Sequence, residues 1–138
     1  MQQAFWKSLL LAAAVVAGGC DNDVGTTPTE PAPTTTDTFT GTINVNGAAT
    51  HTFPVAAAGT VTVTLTGITP NATIAVGFAL GTYDAASTTC QQVRSNDAAL
   101  QGQILTGSVS GVGTLCARIY DTGKLTEGVG YTFTVQHP

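Results

Sequence analysis

GTVTVTLTG, residues 59–67, places Val61, Val63 and Leu65 at every second position and threonine at the positions between them. Successive side chains of an extended chain point to opposite faces, so this spacing gives one apolar face and one hydroxyl-bearing face. Threonine and valine, both β-branched, favour that backbone. The stretch predicts a strand with one side in a core and the other in water.

The same period recurs on both sides of it. DTFTGTINVNG (37–47) sets Phe39, Gly41, Ile43 and Val45 in one register, and ATIAVGFALG (72–81) does so with Ile74, Val76, Phe78 and Leu80. THTFPV (50–55), TCQQVRS (89–95), GQILTGSVS (102–110), GTLCARIY (113–120) and GYTFTVQH (130–137) complete a set of about eight candidate strands. VNGA, AAAG, ITPN, VSGVG and DTGK lie between them and supply Gly, Asn, Asp or Pro where the chain must reverse. In SNDAALQGQIL (95–105), Ser95 and Asn96 stand where they could cap a short helical turn before Gly102. Many short strands with one polar face each predict an all-β antiparallel sandwich, jelly-roll or Ig-like in its connections.

At 138 residues the chain has room for one ordinary domain. Its four cations are Lys7, Arg94, Arg118 and Lys124, against eight acids. Binding a polyanion needs clustered cations, so nucleic acid is excluded as an expected partner. Charged residues are 9% of the sequence, and solubility therefore falls to Thr, Ser, Asn and Gln.

The N-terminus has a different texture. MQQAFWK (1–7) carries one cation, SLLLAAAVVAGG (8–19) is apolar and ends in small residues, and Cys20 follows. The apolar run is shorter than the roughly 20 residues a spanning helix needs, and matches a signal segment. This segment resembles a bacterial lipoprotein signal, with Ala17 where leucine is commonest. The resemblance implies removal of residues 1–19 and a diacylglycerol on the Cys20 thiol. Stable anchoring takes more than one acyl chain, so acylation of the freed amine would complete it. An ordinary secretory signal cleaved nearby is the alternative. Asp21, after the cysteine, implies inner-membrane retention by resemblance to enterobacterial lipoproteins.

Residues 20–37 then read as the lipidated Cys and a Thr/Pro-rich linker, with Pro28, Pro31 and Pro33 and almost nothing apolar to bury. Extended, the seventeen residues after Cys20 would reach about 50 Å. The folded domain is expected over 38–138. The remaining cysteines, Cys90 and Cys116, allow one pairing, and in an exported domain a disulfide is its simplest meaning. No Cys-x-x-Cys spacing or neighbouring histidine indicates a metal, and no cofactor is expected.

Catalytic constellations are scarce. His51 and His137 belong to no ligand motif; His51 reads as an exposed strand residue and His137 as a C-terminal one. GSVSG (107–111) has Val109 where a nucleophile elbow needs serine. Asp84, Asp97, Asp121 and Glu127 fall in expected loops, and a small hydrolase would have to draw a carboxylate pair from them. Tyr131 shares the register of Phe133 and Val135 and is expected in the core, whereas Tyr83 and Tyr120 lie near loops, where packing outweighs ligand contact.

FPVAAAGTVTVTLTG (53–67) and GTLCARIYDTGKLTEGVGYTFTVQH (113–137) are similar to the two ends of the bacterial pre-peptidase C-terminal (PPC) domain family. The middle strand departs from it, with ATIAVGFAL where the family is often rich in Asp and Leu, and no cation or ligand site is carried over. The resemblance implies a small jelly-roll-like sandwich, non-catalytic and usually accessory to secreted enzymes. The expectation is thus a lipid-anchored, non-enzymatic β-sandwich of the bacterial cell envelope, periplasmic or surface-exposed. Its partners would be the membrane, through the lipid anchor, and a protein or carbohydrate; self-assembly through an edge strand is a further possibility.

Overall fold

The structure, a computed structural model, describes residues 30–138. The expected signal segment, Cys20 and most of the expected linker lie outside the described residues. Within 31–138, which forms one compact unit, eight strands follow in order: β1 (Thr35–Ile43), β2 (Ala48–Val55), β3 (Gly59–Thr69), β4 (Val76–Asp84), β5 (Thr89–Ala99), β6 (Ile104–Val109), β7 (Gly113–Tyr120) and β8 (Val129–His137). They make two antiparallel four-stranded sheets, ordered β1-β8-β3-β6 and β2-β7-β4-β5. The pairs β1/β8, β2/β7, β3/β6 and β4/β5 are those of one long hairpin rolled up on itself, which is the jelly roll rather than the Ig arrangement.

Alternation explains the core. Val61, Val63 and Leu65 of β3 and Val129, Tyr131, Phe133 and Val135 of β8 are buried, and they meet across the ladder as Val63–Val135 and Leu65–Phe133. A bulge between Leu65 and Gly67 shifts the parity of β3, so that Ile68 faces inward opposite Tyr131. Phe133 is the hub. Its ring lies 5.3 Å from Phe39, 5.4 Å from His51 and 5.5 Å from Phe78, and the last two contacts join the two sheets. Two of the turns use a positive φ at their third residue, Asn46 at 59° and Gly102 at 94°, with Gly47 N–H donating to Asn44 O and Gln103 N–H to Leu100 O.

Several expectations are corrected. β1 begins at Thr35, so residues 35–37 are strand rather than linker: they pair with β8, and the Asp37 carboxylate meets His137 Nε2 at 3.0 Å. Residues 95–99 extend β5 instead of turning helically, because they pair with β4 up to Val76–Ala99. Val45 sits in a turn and is 44% exposed, and Ile74 lies before β4 and is partly buried.

β4 departs from simple alternation, since every residue from Val76 to Gly81 is buried. Val76, Phe78 and Leu80 face the core, while Gly77, Ala79 and Gly81 face outward and are small for a reason. A Cβ at Gly77 would overlap the Tyr120 ring, and one at Gly81 would overlap the Gln91 carbonyl oxygen. Cys90 of β5 and Cys116 of β7 are joined by a disulfide, with their Cα atoms 5.8 Å apart although β4 separates the two strands. Strands two apart in a flat sheet lie roughly 9–10 Å from each other. The start of β5 therefore folds over β4 at Gly81, and the disulfide holds it there.

Candidate functional site

The loops β1–β2, β3–β4, β5–β6 and β7–β8 share one end of the sandwich. Asp97, near the end of β5, and Asp121 and Glu127, in the β7–β8 loop, belong to this end; Asp84, at the close of β4, belongs to the opposite one. Three of the four acids considered for hydrolysis are thus at the same end, yet each has a different employment.

Asp121 organises the loop. Its Oδ1 accepts N–H groups of Gly123, Lys124 and Leu125 at 2.8–3.1 Å, and its Oδ2 accepts that of Asn46 at 2.8 Å. These donors, Asn46 first, hold the carboxyl below its ordinary range. Asp97 accepts a hydrogen bond from the Tyr120 hydroxyl. Burial, reinforced by that bond and by the Asp97 charge, raises the Tyr120 pKa to about 12. Asp84 accepts from the Ser87 hydroxyl at 2.8 Å and the Ala86 N–H at 2.9 Å, which hold its carboxyl low and shape the β4–β5 turn. Glu127, with Lys124, Asn71, Ile74 and Leu125, lines a cleft of about 330 Å³. It stands there as a single carboxylate, since neither Asp97 nor Asp121 contributes to the lining.

Tyr120 is a packed side chain. It covers Gly77, and the Arg118 guanidinium lies 5.6 Å from its ring centre, within cation–π range. Arg118 Nε and Thr122 Oγ1 are buried without a hydrogen-bond partner. Tyr131 is buried, as its register predicts, and Tyr83 is half-buried opposite Cys90. None of the three tyrosines lies open as a platform.

The histidines differ most from expectation. His51 shares the inward face of Phe53 rather than pointing to solvent, and is half-buried between β1 and β8. Its ring is 4.9 Å from Phe39, and its Nε2 is 2.8 Å from the Tyr131 hydroxyl. Desolvation lowers its pKa. His137 is 5% exposed, and its ring centre lies 5.3 Å from that of Phe53, the two planes tilted by 34°. The period-two spacings His51/Phe53 and Val135/His137 were the signals that could have found both. Among the described residues no three His, Cys, Asp or Glu side chains gather to hold a metal.

No family model matches the chain, and a search of curated proteins finds no match. A solved structure does: Aeromonas hydrophila PliG, a periplasmic lysozyme inhibitor of g-type lysozyme, with a TM-score of 0.53 and 16% identity over 72% of this chain and 83% of that one. At that identity the likeness is one of fold.

Proposed function

We propose that this protein is a non-catalytic binding module of the bacterial cell envelope, carried on a lipid anchor at Cys20 and acting through contact with a protein partner. One observation carries the non-catalytic reading. Asp84 and Asp121 are engaged by the turns they shape, Asp97 holds Tyr120, and Glu127 faces its cleft as a single carboxylate. Glycoside hydrolysis by a carboxylate pair needs two carboxyls of different protonation flanking one bond.

The absence of an open tyrosine platform favours a protein over a carbohydrate partner. The Cys90–Cys116 disulfide is in keeping with an oxidising compartment, and the lipobox-like end at Cys20 supports the anchor. The PPC resemblance implies a jelly-roll-like sandwich, the strand order seen here, and it adds to the reading an accessory role without chemistry of its own. A shared fold with an enzyme inhibitor makes g-type lysozyme the first partner to try.

The test has two arms. Full-length protein is expected to show no turnover of peptidoglycan or glycoside substrates; turnover lost in Glu127→Gln or Asp97→Asn would move the protein to the hydrolases. Titration against g-type lysozyme, read as inhibition, then decides whether the partner is that enzyme or another protein.

A further inference from the structure

A jelly roll leaves four edge strands, β1 and β6 in one sheet and β2 and β5 in the other. Free edges invite pairing with another chain, and proteins blunt them with charge, proline or bulges. Here β1 turns Asp37 inward onto His137, and β2 carries Pro54, which has no N–H. β5 carries Arg94 and Asp97 and pairs with β4 through two irregularities. β6, ILTGSV, has no charge and no proline, and its register with β3 is unbroken.

The direction of its free groups follows from the ladder. Gln103 O accepts from Leu65 N–H, and β3–β6 pairing then alternates. Residues 105, 107 and 109 therefore turn their N–H and C=O groups to β3, while Ile104, Thr106 and Ser108 turn theirs away. Ile104 O also accepts the Gln103 side-chain amide at 3.0 Å and keeps its second lone pair for a donor from another strand. Apolar exposure gathers around the same strand. Among the described residues five large apolar side chains are exposed, and four of them, Val93, Leu100, Ile104 and Val112, lie on β5, on β6 or in the loops flanking β6. Beside β6 a cleft of about 240 Å³ opens between the sheets, lined by Val61, Leu80, Val93, Gly107 and Leu115.

We propose that β6 is a self-pairing edge, on which a second copy of this chain docks antiparallel about a two-fold axis through Thr106. A copy fits because the row of free groups is its own complement. Thr106 would exchange both hydrogen bonds with Thr106 of the second copy, and Ile104 would do the same with Ser108. The intervening non-bonded pair sets Leu105 opposite Gly107, which has no side chain to obstruct it. The uncharged strand meets its own image without like-charge repulsion, and the contact is isologous and closes at two copies. The first sheet would continue across the axis as eight strands.

Cysteine cross-linking of the full chain in non-ionic detergent reads this register directly. A bridge needs Cα atoms roughly 4.4–6.8 Å apart. Thr106→Cys should give at least about tenfold more covalent dimer on oxidation than the unmodified chain, which controls for Cys20. Ile104→Cys alone should stay at that background, and a mixture of Ile104→Cys with Ser108→Cys should cross-link. Thr106→Lys, with like charges facing across the axis, should weaken the dimer about tenfold by light scattering and leave the melting temperature unchanged at concentrations too low for the dimer to form. Cross-linking of Thr106→Cys no stronger than background, or equal at all three positions, overturns the proposal. So does an unmodified chain that stays monomeric at millimolar concentration, which would leave β6 to a strand of some other protein.

Discussion

His51 sits two positions before Phe53 on β2, and that spacing sends both rings inward. The surrounding threonines suit a solvated strand, which is why composition misleads where periodicity does not. Burial lowers the His51 pKa, so as pH falls the unfolded chain takes up this proton before the folded one does. The stability tied to neutral His51 is complete above its ordinary pKa of about 6.5 and is lost as pH drops below that value. Melting temperatures followed from about pH 7.5 to about pH 5 should fall, and fall less in His51→Phe, which keeps an aromatic ring but cannot be protonated. An unchanged slope in the variant would show that His51 is not the group responsible. Asp84 and Asp121, held low by the donors of their turns, act only in the more acidic range below about pH 4.

Among the elements, β4 carries the least visible design. Its inward residues Val76, Phe78 and Leu80 announce a strand, but Gly77, Ala79 and Gly81 look like weakness until Tyr120 and the start of β5 are seen to lie over them. Gly81→Ala would push against the Gln91 backbone, which has little freedom to move because Cys90 is tied to Cys116. Denaturant unfolding should show a loss of about 1–3 kcal/mol; no loss would mean that β5 does not cross β4 there. Replacing both cysteines by alanine opens a loop of 25 intervening residues and should cost about 3.5 kcal/mol on the chain-entropy estimate. In that background Gly81→Ala should cost less, since the crossing segment is free to lift away.

At the scale of the molecule, the strands were legible and their order was not. Alternation is local, and it marks Val61, Val63 and Leu65 or Tyr131, Phe133 and Val135 without any knowledge of neighbours. The sheet order depends on pairs such as Phe39–Phe133, far apart in the chain, which leave no periodic signal. The start of β1 was missed because 35–37 carry no apolar residue; Asp37 is held there by His137, a hundred residues away. Of the four candidate acids, Asp121 and Glu127 lie in a loop as their surroundings suggest, whereas Asp84 closes β4 and Asp97 lies within β5; the partners of each are assembled only by the fold.

An account built on display at a membrane stands or falls at Cys20. The direct measurement is detergent phase partition of the full-length protein expressed in bacteria, with mass spectrometry of the N-terminal peptide. The account predicts recovery in the detergent phase, a diacylglycerol mass on Cys20, and transfer to the aqueous phase or loss of processing in Cys20→Ala. A wild-type protein found in the aqueous phase with an unmodified thiol, and unaffected by Cys20→Ala, would contradict it.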